Sequence, residues 1–193
     1  KNLVILVLIL SVSSTVHAVK FWQPLGPSPI YGGQPENVEN KPQVGAINAI
    51  APHPTDANIL YVATVAGGIW KTENAMDAEP NWLPISDFKS LGLVQESLST
   101  SDISFDQADT THSTLVASYG RYSSLNSQGG KRMGVIRSTD SGAIWTKVSG
   151  TAGMIMDGKN INSVKVYQNV ILTSVDTDDT NSCSQFGILA SFN

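Results

Sequence analysis

Cysteine is almost missing from this sequence. Cys183 is the only one in 193 residues, which excludes a disulfide framework within the chain and a cysteine-rich metal site. It is either a small buried apolar residue or one half of a pair completed outside this stretch. Positive charge is also scarce: 12 Lys and Arg stand against 16 Asp and Glu, a net charge of −4. No basic patch is dense enough for nucleic acid, and the net acidity argues against anionic membranes. Long apolar runs are absent too. The longest, Leu3 to Leu10, has eight residues, far short of the roughly 20 that a membrane span needs. No G-x-S-x-G motif accompanies His53 or His112, so hydrolase-triad chemistry has no support.

What is present begins with that apolar run. Leu3–Leu10 is followed by Ser11–Thr15 and Val16-His17-Ala18. This reads as a signal peptide over residues 1–18 that lacks its first residues, with cleavage after Ala18; a buried strand is the alternative. The expectation is an exported protein: secreted, periplasmic or on the cell surface. Removing the segment leaves 12 − 1 = 11 basic residues against 16 acidic ones over 193 − 18 = 175 residues. That length suffices for one domain with a real core. Short β-branched runs separated by Ser, Thr, Asn, Asp and Gly predict an all-β chain.

The most informative stretch is Ser138-Thr139-Asp140-Ser141-Gly142-Ala143-Ile144-Trp145. An apolar run through Ile136 meets a polar turn, and an apolar residue resumes at Ile144: a hairpin signature. Asp140 is expected to accept hydrogen bonds from main-chain N–H groups two residues on, and Gly142 to supply a positive φ. Ser138 adds a local hydrogen bond, and Trp145 returns a large ring beneath the turn. Around this turn the chain repeats. Ile50 to Phe105 is 55 residues, Phe105 to Val166 is 61, and Trp82 to Trp145 is 63. A period near 60 with four short strands per unit predicts a β-propeller with about three blades, near residues 45–87, 101–148 and 160–193. A β-sandwich is the competing architecture.

The pattern S-x-D-x-G-x-x-W over Ser138–Trp145 resembles the Asp-box of BNR (bacterial neuraminidase) repeats. Gly45–Asp87, with Ala49-Ile50-Ala51-Pro52-His53-Pro54 and Gly67-Gly68-Ile69-Trp70-Lys71-Thr72, resembles the opening blade of secreted Asp-box propellers. So does Trp22-Gln23-Pro24-Leu25-Gly26-Pro27. The resemblance takes in sialidase-like and xyloglucanase-like glycoside hydrolases, sortilin-type domains and photosystem II assembly-factor-like proteins. It implies that residues 19–193 are part of a larger ring, incomplete here, in which Phe21–Leu25 completes the last blade. In one respect the chain departs from the pattern. The first box, Lys71-Thr72-Glu73-Asn74-Ala75, lacks the usual Asp and Gly, and an insertion separates it from Trp82.

Strand parity places Asp140 on one face of the propeller and the ligand loops of the resembled families on the other. On the ligand face fall residues 86–100, 119–132, 149–160 and 176–186. The second is long, with two aromatic rings and three cations in Tyr119, Arg121, Tyr122, Lys131 and Arg132. Arg121 can hold a carboxylate bidentately, and Tyr119 or Tyr122 can stack on a sugar face; a solvated loop is the alternative. Asp176, Asp178 and Asp179 share this face. Two carboxylates can act as acid and base across a glycosidic bond. The D-x-D-x-T spacing also faintly suggests calcium, but it lacks the sixth-position Gly and a distant Glu. A solvated acidic loop is the plainer reading, and no metal or cofactor is expected. The arginine triad of sialidases and the two-Asp site of xyloglucanases do not carry over residue by residue. Two functions remain open: a glycoside-hydrolase-like protein that binds or cleaves extracellular glycans, and a non-catalytic scaffold that binds a protein or peptide.

Overall fold

The computed structural model describes residues 25–26, 39, 46–86, 98–120, 132–148, 156, 158–178 and 187–191. All regular structure among them is strand. A first sheet runs β1 (Ile47–Pro52), β2 (Leu60–Thr64), β3 (Ile69–Thr72) and β4 (Leu83–Pro84), in that spatial order. A second runs β5 (Thr100–Phe105), β6 (Leu115–Tyr119), β7 (Val135–Ser138) and β8 (Thr146–Lys147). A third holds β9 (Lys159–Tyr167), β10 (Val170–Asp178) and β11 (Gly187–Ser191). Every pairing is antiparallel between consecutive strands. The fold is all-β and of the propeller type, built from consecutive antiparallel meanders.

The register explains the repeat. Leu60 pairs with Thr72 in the first sheet, and Leu115 with Ser138 in the second. Each inner hairpin carries a register shift at one matching place, between Ile47 and Ala49 and between Thr100 and Asp102. The third hairpin has two shifts, between Ser174 and Val175 and between Val175 and Asp178. Its turn is the two-residue Gln168-Asn169, with φ of 48° and 66°, the left-handed pair that a tight hairpin demands.

Stacking follows from side-chain alternation. On β6, Leu115, Ala117 and Tyr119 point toward the first sheet and pack with Tyr61, Ala63 and Ile69. Val116 joins Val135 on the other side, against Ile161, Val164 and Val166 of the third sheet. The middle sheet is therefore covered on both faces, and for that reason Leu115-Val116-Ala117-Ser118-Tyr119 is buried at every position. A three-layer succession of meanders is incompatible with the two facing layers of a sandwich.

Polar groups tie the layers as well. Asn48 Nδ2 donates to Thr100 O at 2.7 Å. Buried Asp102 accepts from Ser163 Oγ, Val164 N and Lys165 Nζ at 2.7, 2.9 and 2.8 Å. Asp106 accepts from Gln168 N at 3.1 Å, and Arg137 donates to Asn169 Oδ1 at 2.6 Å.

Asp109 holds the 106–114 turn. It accepts from Thr111 Oγ1 (2.6 Å), Thr111 N (2.9 Å) and Thr114 N (2.8 Å). The Thr111 hydroxyl first, then Thr114 and the main-chain donors, hold its carboxyl well below the usual carboxylate range. A depressed folded value contributes stability above the ordinary aspartate pKa, about 3.9; that contribution is lost as pH falls through the folded value. Urea titrations below pH ~4 are expected to show a steeper fall in stability for the wild type than for Asp109→Asn.

Candidate functional site

The Ser138–Trp145 turn is a hydrogen-bonded clip. Ser138 Oγ donates to Asp140 Oδ1 at 2.7 Å and accepts from Gly142 N at 2.9 Å. Asp140 Oδ1 accepts from Ile144 N at 2.8 Å. The expected carboxylate bond two residues on is thus corrected: Asp140 reaches four residues on, while the serine hydroxyl takes the nearer donors. Positive φ is shared by Ser141 (58°) and Gly142 (86°). A Cβ on Gly142 would lie 2.7 Å from Ile85 Cδ1, the movable end of a side chain, so it is the positive φ more than space that calls for glycine. Trp145 is 1% exposed beneath the turn.

The first sheet makes the same clip from different residues. Thr72 Oγ1 donates to Asn74 Oδ1 at 3.0 Å, and Asn74 Oδ1 accepts from Asn81 N at 2.8 Å. Thr72 and Asn74 therefore stand where Ser138 and Asp140 do. A carboxamide oxygen replaces the carboxylate, and 82 − 72 = 10 residues span what takes 145 − 138 = 7 in the second sheet.

Main-chain bonds sort the loops onto two faces. Ser141 N donates to Ser113 O and Ala75 N to Asn58 O, so the clips share a face with the 53–59 and 106–114 turns. Opposite them, Gly68 N meets Leu98 O, Gly120 N meets Ser99 O, and Gly158 N meets Arg132 O.

The sequence candidates on that opposite face separate. Tyr119 ends β6 at 3% exposure within the core, its N–H bonded to Gly134 O. Arg132 is 5% exposed. Both flank residues 121–131 as buried anchors, so neither presents an open face. The acidic loop expected from residue 176 is corrected at its start: Asp176 is exposed but lies within β10, whose last residue is Asp178. Arg121, Tyr122, Asp179, Cys183 and the 1–18 segment lie outside the described residues. Five other carboxylates serve main-chain groups: Asp56, Asp102, Asp106, Asp109 and Asp140 each accept an N–H bond. Among the described residues no group of three or more His, Cys, Asp or Glu is placed to hold a metal, and no helix is long and apolar enough to cross a membrane.

A feature that the sequence did not announce lies on the clip face. An open cleft of about 560 Å³ runs between the first and second clips. It is lined from the first sheet's side by Lys71, Glu73, Asn81, Leu83 and Ile85, and from the second clip by Asp140 and Ser141. Lys71 Nζ pairs with Glu73 at 2.7 Å and lies 5.5 Å from the centre of the Tyr61 ring. Burial pushes the Tyr61 phenol up. Burial works against the Lys71 charge, but Glu73 and Tyr61 outweigh it and the ammonium is raised as well. Tyr61 Oη donates to Ser141 O at 2.9 Å and so joins the two sides.

No protein-family profile matches the chain. Curated relatives match parts of it. An oligoxyloglucan-reducing end-specific xyloglucanase of Emericella nidulans is 38% identical over 84 residues, 44% of this chain and 9% of that protein. A probable oligoxyloglucan-reducing end-specific xyloglucanase of Neosartorya fischeri is 32% identical over 104 residues, 53% of this chain and 11% of that protein. The chain is similar to xyloglucanases. It spans 9% and 11% of the length of these relatives. Among solved structures, an ancestral GH74 enzyme has a TM-score of 0.48 at 16% identity, over 82% of this chain and 15% of its own. The GH74 xyloglucanase from Xanthomonas campestris has 0.44 at 15%, over 67% and 19%. The Niastella koreensis GH74 enzyme has 0.44 at 19%, over 76% and 21%. Of the groups the sequence resembles, the two curated relatives belong by name with the xyloglucanases.

Proposed function

We propose that this chain belongs to an exported propeller protein of glycoside-hydrolase type that binds or cleaves an extracellular glycan of the xyloglucan kind. The observation that carries the proposal is the 38% identity over 84 residues to a reducing end-specific xyloglucanase. The apolar segment before Ala18 supports export. The ligand face is the one opposite the clips, with Arg121 and Tyr122 in the 120–132 connection and Asp176 and Asp178 on the third unit. Buried Tyr119 and Arg132 hold the ends of that connection. An arginine and a tyrosine suit hydroxyl bonding and ring stacking, and paired carboxylates suit acid–base work at a glycosidic bond.

The test is titration of the full-length protein with xyloglucan oligosaccharides, followed by chromatography for cleavage products. Arg121→Ala and Asp176→Asn are each expected to weaken binding about tenfold, equivalent to losing one good polar contact. Neither binding nor cleavage, together with tight capture of a protein ligand, would establish the scaffold reading instead.

A further inference from the structure

The clip-face cleft opens where the first two sheets pack side by side, and it lies away from the face assigned above. We infer that it is a second binding site, for a neutral saccharide. Its volume, about 560 Å³, falls in the range of small-molecule sites, roughly 300–1,000 Å³. A sugar ring offers an apolar C–H face and a rim of hydroxyls. The cleft offers the complement, the aliphatic side chains of Leu83 and Ile85 alongside polar and charged lining groups.

Charge selects the class of sugar. Lys71 is already paired with Glu73, so Asp140 leaves the cleft with a net negative charge. The Glu73 and Asp140 carboxylates accept bonds from hydroxyls and repel uronates and other anionic sugars, and the neutral Asn81 amide can donate or accept.

Part of the lining is pre-organised: Asn74 is held by Thr72, Asp77 and Asn81, and Asp140 by Ser138 and Ile144. A site whose side chains are fixed before the ligand arrives loses little conformational entropy on binding. The repeat shows how the space arises: the first clip is three residues longer than the second (10 − 7, from the spacings above), and its Asn81 stands at the end of the insertion. A peptide adding as a strand is disfavoured, because the bordering edge strand β4 has only two residues and one is Pro84.

The test uses affinity electrophoresis and calorimetry on the full-length protein, with cellotetraose and a galacturonate tetramer as probes. Binding of cellotetraose is expected. It should weaken about tenfold or more in Asn81→Ala/Leu83→Ala. Leu83 is 64% exposed and Asn81 is exposed, so the variant should keep its melting midpoint; if it does not, Asn81→Ala alone gives the reading. No cellotetraose binding, binding unchanged in the variants, or equal binding of the galacturonate would overturn the site. Occupation by a peptide that cellotetraose cannot displace would overturn it too. Cellotetraose binding that survives Arg121→Ala but not Asn81→Ala separates this site from the proposed ligand face.

Discussion

Replacing Trp145 with alanine is expected to cost about 3–5 kcal/mol of stability, the range for emptying a fully buried aromatic site. Denaturant midpoints of wild type and variant measure it. Trp145 is 1% exposed and lies in the cluster shared by the first and second sheets, beside Ile136, Leu115 and Tyr61. The ring is wedged under the clip, so its loss opens a cavity at an inter-sheet joint rather than at one sheet's surface. A control isolates volume from polarity. The indole Nε1 of Trp145 is buried with no hydrogen-bond partner among the described residues, so Trp145→Phe removes that donor along with part of the ring. It should cost less, about 1–2 kcal/mol. The matching Trp82 is half-buried and donates to Leu25 O at 2.9 Å, and its truncation should fall below that of Trp145.

Asp102→Ala is the second large effect, about 2–4 kcal/mol. The value comes from buried donors stranded in water-poor surroundings, at about 1–3 kcal/mol for each unsatisfied group, and not from the ion pair. The Lys165 side chain is 62% exposed, so its attraction to Asp102 is screened. Lys165→Ala is accordingly expected to cost under about 1 kcal/mol, whereas Asp102→Ala leaves Ile103 N, Val164 N and Ser163 Oγ without their acceptor. Raising the salt concentration should change neither value much. A large salt effect on the wild type but not on Lys165→Ala would show that the pair, and not the stranded donors, carries the energy.

The all-β class and the repeat were legible because they rest on local chemistry. Alternating apolar runs ending in Asn, Asp and Gly turns mark hairpins wherever they occur, and Ser138-x-Asp140-x-Gly142 with Trp145 marks one turn closely. The degenerate first turn was harder to read. Thr72 and Asn74 do the work of serine and aspartate through a hydroxyl and an amide oxygen, and nothing in residue identity requires that reading. The role of Asp102 was hidden for a different reason: its partners at 163–165 are some 60 residues away. Tyr119 and Arg132 read as loop residues by position, yet they are the points at which the loop enters and leaves the core. The cleft was illegible in principle, since Glu73 and Asn81 come to line one space with Asp140 and Ser141 only after two repeats are packed side by side.

The most direct measurement of the stacked-sheet account is amide hydrogen exchange at Val164 in wild type and in Asp102→Ala. Val164 N lies on the side of β9 that faces the second sheet and donates to Asp102 at 2.9 Å. The account predicts slow exchange in the wild type, acceleration in the variant, and unchanged slow exchange at Gly142, which Ser138 holds within its own turn. An exchange rate at Val164 that does not respond to the loss of Asp102 would contradict the stacking of the second and third sheets.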